Sequence, residues 1–206
     1  MYHLSYFKSS NGSALIQLMK SYPFATLIGA HNGTPVATQV PVLVEERADG
    51  LYLTGHIMRK QDHHLAFLEN PKALFLFSGP HAYISASWYP QPAQASTWNY
   101  LTVHARGEMK FLDENGLMEV LQKLSLHFES DSSQATVYNN LSDTYKLPLL
   151  KAIIAFEMKV DDLQHVFKLS QNKDEQTFNA IVERLEAGSE EEVKLAAFMK
   201  AERHGN

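Results

Sequence analysis

The sequence contains no cysteine, which removes disulfides, thiolate nucleophiles and every metal or iron–sulfur centre built on sulfur ligands. A reducing, cytoplasmic setting is expected. Long apolar runs are missing too: nothing approaches the roughly 18 consecutive apolar residues of a membrane-crossing helix, and the opening MYHLSYFKSSNGSAL lacks the basic start and apolar stretch of a secretion signal. No membrane partner is expected. Nor is there an excess of positive charge. Lysine and arginine number 18 against 23 acidic residues, for a formal net charge of −5, and no basic block exceeds the pair Arg59-Lys60. Proteins that grip DNA on their own neutralise several phosphates with clustered cations, so the charge balance does not support DNA as a partner beyond a local patch.

Several catalytic signatures are absent as well. There is no P-loop, no Rossmann glycine fingerprint, no HExxH and no GxSxG elbow around Ser85 or Ser87. Ten histidines are present, but adjacent His63 and His64 diverge by about 100° on a helix, and no pair sits at i, i+4 of a predicted helix. No metal site is expected. A haem held by one histidine leaves no spacing to read and stays open as an alternative.

What is present suffices for a core: 45% of the residues are hydrophobic. Leu15, Leu18, Met19 and Tyr22 recur at helical spacing until Pro23 ends the run. Three strands follow, FATLIGA, PVATQVPVLVEE and LYLTGHI, joined at Asn32-Gly33 and Asp49-Gly50, turn pairs that accept positive φ. A helix is expected from Gln61 to Asn70, with Leu65 and Leu68 on one face and Asn70-Pro71 as its stop. KALFLFSG is a buried strand, Gly79-Pro80 a turn, HAYISASWY another alternating strand and PQPAQAS a loop. Residues 98–112 form a long strand, with a bulge or bend expected near Gly107.

Asp113 caps a helix carrying Leu117, Val120, Leu121, Leu124 and Phe128, and SDSSQATVYNN is polar and mobile by composition. AIIAFEMKV is a strand, and HVFKLSQ its continuation or a neighbour. One closing helix runs from near Glu175 to Ala187 and stops at Gly188; the last begins at Ser189, with Glu192 as capping-box partner. Six or seven antiparallel strands with single helices between them give an α+β barrel rather than a doubly wound sheet. We expect one domain over residues 1–206, with 173–206 as a C-terminal helical extension.

Chemistry concentrates in LYLTGHIMRKQDHHLAF, residues 51–67. Arg59 and Lys60 sit where a strand hands over to a helix, whose first amides and partial positive charge favour an anion. Arginine offers a bidentate fork and lysine a mobile point charge, and Thr54 could add a hydroxyl donor. Together they make a receptor for a phosphate dianion; Asp62 opposes it unless it caps the helix. A second candidate is the aromatic stretch Tyr83, Trp88, Tyr89, Trp98, Tyr100, which reads either as barrel core and rim or as a wall for a flat ring. FKLSQN, residues 167–172, is a polar cluster that could contact a ligand or cap the helix after it.

Seven segments in order, YPFATL (22–27), ATQVP (37–41), LTGHIMRKQDHH (53–64), GPHAYISASWY (79–89), TWNY (97–100), VHARG (103–107) and FKLSQN (167–172), resemble the PaiB-like FMN-binding family of negative transcriptional regulators. The resemblance implies a split β-barrel related to pyridoxamine-phosphate oxidases and flavin reductases, acting as a homodimer with flavin at the subunit interface. It implies that Thr54, Arg59 and Lys60 hold the FMN phosphate and that the backbone of Thr38, Gln39 and Val40 faces the isoalloxazine. Trp98, Asn99, Lys168 and Gln171 are candidates around the ring or across the interface. The oxidases carry an arginine where this chain has Thr38, and their pyridoxal-phosphate residues are not found. A flavin-dependent oxidoreductase or regulator is the leading expectation. A regulator without catalysis and a haem-binding split barrel are the alternatives.

Overall fold

The structure, a computed structural model, describes residues 4–9, 12–91, 94–129 and 138–204. The chain divides into two compact units, one comprising residues 1–18, 78–103 and 164–206 and the other residues 19–77 and 104–163; we call them unit 1 and unit 2. In chain order the elements are α1 (Gly12–Ser21), β1 (Phe24–His31), β2 (Thr34–Arg47), β3 (Gly50–Met58), α2 (Asp62–Glu69), β4 (Lys72–Ile84), β5 (Thr97–Phe111), α3 (Glu114–Phe128), α4 (Asp143–Ala152), β6 (Ile153–Lys168), α5 (Glu175–Glu186) and α6 (Glu190–His204). The strand order closes on itself as β1-β2-β3-β6-β5-β4.

Unit 2 begins with two tight hairpins. Asn32 and Gly33 take φ of 50° and 73°, the positive values a two-residue hairpin turn requires, and Leu27 pairs with Thr38 across it. β3 pairs antiparallel with β2 from Val42↔Gly55 to Arg47↔Gly50 and with β6 from Tyr52↔Lys159 to Met58↔Ile153. Inward-facing Phe75 and Phe156 are fully buried, with ring centroids 5.6 Å apart. A Cβ on Gly55 would lie 2.8 Å from the Phe156 ring and 2.9 Å from the Pro41 carbonyl oxygen, so that strand position has no room for a side chain. On the opposite face, Leu117, Val120 and Leu124 of α3 pack on Leu43 of β2 and Ala155 of β6, the 3.6-residue stripe that the sequence shows. Asp113 caps α3 by accepting from Gly116 N–H at 2.9 Å.

In unit 1, α5 buries Phe178, Ile181, Val182 and Leu185, and α6 buries Leu195, Ala196 and Met199. Asp174 caps α5 through the Thr177 N–H. The capping box of α6 is formed: Ser189 N–H reaches Glu192 Oε2 at 2.7 Å, and Glu192 N–H reaches Ser189 Oγ at 3.4 Å.

Several expectations need correction. Leu65 and Leu68 do share a face of α2, but it is the outer one, 41% and 61% exposed; His64, Ala66 and Phe67 are the buried residues. Phe128 likewise ends α3 half exposed. Gly79-Pro80 is not a turn, because β4 runs straight through it. Burial alternates up to Phe77, then Gly79 and Pro80 are both buried and the parity shifts by one, as an extra residue in a strand produces. In β5 the alternation instead passes Gly107 without a break. There the missing side chain serves close approach, since a Cβ would lie 2.0 Å from the Lys159 carbonyl oxygen. Residues 153–168 form one strand, and the cap of α5 is Asp174 rather than the FKLSQN cluster. Most of SDSSQATVYNN lies outside the described residues.

Candidate functional site

The β3–β6 ladder extends one residue beyond Met58, where Arg59 N–H donates to the Ala152 carbonyl at 2.8 Å. Its side chain is pinned by the same neighbour: Arg59 Nε donates to the Ile153 carbonyl at 2.8 Å. One of the five guanidinium donors is thereby used, and the terminal nitrogens have no partner among the described residues. Half-buried Arg59 lines a cavity of about 390 Å³ with Glu114 and Leu117 of α3 and Leu150 and Lys151 of α4. Two cations face one carboxylate there. A fork held at its root, with its free end in a cavity, is preorganised for a bidentate oxyanion.

Lys60 has a different setting. It takes φ of +63°, and its backbone N–H donates to His64 Nδ1 at 3.2 Å, which assigns the ring proton of neutral His64 to Nε2. His64 is buried against the Phe111 ring; burial, then the charges of Arg59 and His63, hold its pKa below the ordinary value. The Lys60 side chain is exposed and does not line the Arg59 cavity. Asp62 accepts from His63 N–H at 2.7 Å. The Lys60 and His63 amides at this helix start are thus already paired, so the anion-binding power here rests on side-chain charge more than on backbone donors.

Thr54 lies on the face of β3 turned toward α3, beside its paired Leu43. It is 2% exposed and its Oγ1 has no hydrogen-bond partner among the described residues, a loss of about 1–3 kcal/mol for a buried polar group. His56, two residues on, shares this face; its Nδ1 is likewise buried without a partner, and burial lowers its pKa. His56 and Pro41 line a second cavity, of about 480 Å³, walled mainly by apolar and aromatic residues of α3 and α4, among them Leu124, Phe128, Tyr145 and Leu149. Leu150 borders both cavities. A cationic recess therefore adjoins an apolar one, an arrangement suited to a flat apolar ring with a charged tail. Thr54 does not line the Arg59 cavity.

Thr38, Gln39 and Val40 pair with Leu27, Thr26 and Ala25 of β1, and the pairing of β2 with β3 begins only at Val42. Alternate backbone groups of this stretch point away from β1, immediately before Pro41 of the apolar cavity. Val40 is buried, Thr38 half-buried and Gln39 exposed.

The remaining candidates belong to unit 1. Asn99 is fully buried, its Nδ2 donating to Ser170 Oγ at 2.9 Å and the Ser170 hydroxyl donating back to Asn99 Oδ1 at 3.2 Å. Lys168 Nζ donates to Thr97 Oγ1. Gln171 is committed locally: its Nε2 donates to the Phe167 carbonyl, and its Oε1 accepts from Leu169 N–H at 2.8 Å. Trp98 is 53% exposed, between His81 and Tyr83 with ring centroids at 6.2 and 5.8 Å. Sequence reasoning missed Lys151 and Glu114 at the Arg59 cavity and His56 at its neighbour. Lys151 was hidden because α4 carries Pro148 in its interior, a residue that normally argues against a helix. Among the described residues no cluster of histidine and carboxylate side chains could hold a metal, and no helix is long and apolar enough to cross a membrane.

Fold and cavities together define the class: an α+β split barrel with paired cationic and apolar recesses. Residues 1–162 match the family described as "Putative FMN-binding domain". The chain belongs to this FMN-binding family, and FMN is the cofactor the family assigns to it. It is 33% identical over 186 residues to the Bacillus subtilis (strain 168) protein "Protease synthase and sporulation protein PAI 2", covering 90% of this chain and 89% of that protein. The flavocytochrome Anf3 from Azotobacter vinelandii shares the fold with a TM-score of 0.65 at 13% identity, covering 87% of this chain and 78% of that one. The FAD and haem binding protein from Mycobacterium smegmatis gives 0.59 at 18% identity, covering 84% and 78%.

Proposed function

We propose that the protein is an FMN-dependent redox protein acting as a homodimer, with the FMN phosphate on Arg59 and the isoalloxazine in the adjoining apolar cavity. The observation that carries this is the Arg59 guanidinium, anchored through Nε to the Ile153 carbonyl with its terminal nitrogens open to a cavity. Lys151 supplies the further cation where the oxidases use the position of Thr38, and exposed Lys60 adds charge from the solvent side. The His56 ring, in the wall of the apolar cavity, suits a bound polar group, directly or through water. The ring would lie along the backbone edge of Thr38 to Val40 and beside Pro41. When bound, FMN supplies hydride and electron transfer. The protein's part is to clasp the phosphate, orient the ring and keep water off its face.

Apolar side chains of unit 2 left in water, among them Phe24 at 67%, Met58 at 53% and Leu68 at 61% exposure, are available to a second copy. The regulatory reading draws on the similarity to PAI 2. Direct operator binding is disfavoured, because α6 opens with Glu190, Glu191 and Glu192, a carboxylate cluster that repels DNA phosphates. A flavin-sensing role fits better than a DNA-reading one.

The test is to denature purified protein and identify the released chromophore, and to measure the molar mass of the native protein by light scattering. Released FMN and a mass of two chains are expected. Protein that is colourless and takes up no added FMN would overturn the cofactor reading, and a monomer that holds FMN would overturn the dimer alone. A Soret band on adding hemin in place of flavin uptake would favour the haem alternative.

A further inference from the structure

Unit 1 holds a polar cavity of about 290 Å³ that the flavin reading does not use. Tyr89, Thr97, Asn99, Lys168, Ser170 and Lys173 are among its lining residues. The hydrogen-bond partners of both ammonium groups are neutral, although Lys173 also feels the charge of the Asp174 carboxylate. Lys168 Nζ donates to Thr97 Oγ1 and lies 5.9 Å from the Phe7 ring centre. Lys173 Nζ donates to Gln94 Oε1 at 2.6 Å and sits 4.6 Å over the Tyr89 ring. Among the described residues no carboxylate lies within ion-pair distance of either. Asp174 follows Lys173 directly in sequence, but its two oxygens accept from the Thr177 N–H and hydroxyl, each at 2.9 Å.

Two further features distinguish this pocket from a pair of solvated lysines. Tyr89 is 7% exposed and its buried hydroxyl has no hydrogen-bond partner among the described residues, although a phenol in such a place ordinarily finds one. Ser170 is 4% exposed and held at φ +61° by its reciprocal bonds to Asn99, a conformation that costs a non-glycine residue free energy and persists where its surroundings impose it. Burial also depresses the Lys168 pKa, as expected of an ammonium short of counter-charge.

We infer that this cavity is a second ligand site, for a small oxyanion, either a phosphate monoester or a compact carboxylate. The inference goes beyond the flavin reading and does not rest on it. Two lysines supply the charge, the Tyr89 ring an aromatic wall under Lys173, and the Asn99–Ser170 pair a rigid polar floor. The volume admits a phosphate or a dicarboxylate of a few carbons.

Calorimetric titration of the purified full-length protein with inorganic phosphate, and separately with malonate, tests it. Saturable binding of at least one is expected in the wild type and equally in Arg59→Ala. Binding should weaken about tenfold in Lys173→Met, which loses one charge-assisted hydrogen bond. Phosphate binding alone assigns the phosphate source, and malonate binding alone the carboxylate. No saturation with either probe overturns the inference. So does binding indifferent to Lys173→Met. Binding lost in Arg59→Ala but kept in Lys173→Met would put the anion at the Arg59 cavity, sinking this site while leaving the flavin reading intact.

Discussion

The two units each hold a cationic recess, and the two are built on opposite plans. In unit 2 the charge is an arginine rooted in a backbone carbonyl, with a carboxylate, Glu114, and a second cation, Lys151, around the same cavity. In unit 1 the charges are two lysines bonded to neutral side chains. An always-ionised planar fork suits fixed, bidentate contact with a resident phosphate, whereas lysines adapt and change their pKa with occupancy. On the two proposals made above, the contrast is between a recess suited to a permanent cofactor and one suited to an exchanging anion.

The backbone shows a similar difference in tightness, and it yields the largest expected effect. A Cβ on Gly107 of unit 2 would meet the Lys159 backbone oxygen at 2.0 Å, and backbone cannot swing aside as a side chain can. Gly107→Ala should therefore cost about 3 kcal/mol or more. On Gly79 of unit 1 the nearest atom would be Leu18 Cδ1 at 2.7 Å, the end of a flexible side chain, followed by Leu101 Cβ at 3.1 Å; Gly79→Ala should cost about 1 kcal/mol. Urea unfolding of the two variants checks this, and equal losses would erase the distinction.

Next in size is the fork itself. Arg59→Ala should weaken FMN binding by about 2–3 kcal/mol, read by quenching of flavin fluorescence. Arg59→Lys should restore less than half of that, because an ammonium cannot make two parallel bonds. Full recovery with lysine would mean that charge alone matters and that the plans of the two recesses do not differ. In unit 1, Asn99→Leu strips the buried Ser170 hydroxyl of its partner and should destabilise by about 1–3 kcal/mol. It should leave FMN affinity unchanged.

Much of this was legible in the sequence because the signals are local. Asn32-Gly33 and the Ser189–Glu192 box each specify backbone geometry within four residues, and Arg59-Lys60 was visible as the longest basic block. Features that depend on partners far along the chain were not legible. Gly107 reads like a bulge until Lys159 is known to cross it, and Gly79-Pro80 reads like a turn although β4 continues. Leu65 and Leu68 look like the core face of α2, yet the buried stripe contains His64, whose ring nitrogen is needed by Lys60 N–H. The Arg59 cavity was half legible: Arg59 lies in a familiar motif, but Lys151 comes from a helix interrupted by Pro148.

The smallest effect expected is a difference in acid sensitivity. Burial, with neighbouring positive charge in some cases, lowers the pKa of His56, His64 and His104 in unit 2 from the ordinary 6.5, and that of His165 in unit 1. A depressed folded-state pKa means that the unfolded chain binds the proton first. The stabilisation is complete above about pH 6.5 and is lost as the pH falls toward the folded-state values. With His56 on β3 and His64 on α2, hydrogen exchange in β3 and α2 should accelerate between pH 7 and 5 by a larger factor than in α5 and α6, after correction for intrinsic exchange. His56→Phe should reduce the acceleration in unit 2, since one proton fewer is taken up on opening, and should leave unit 1 as it was. Equal acceleration in both units, unaffected by that substitution, would show that the acid response is not set by the buried imidazoles.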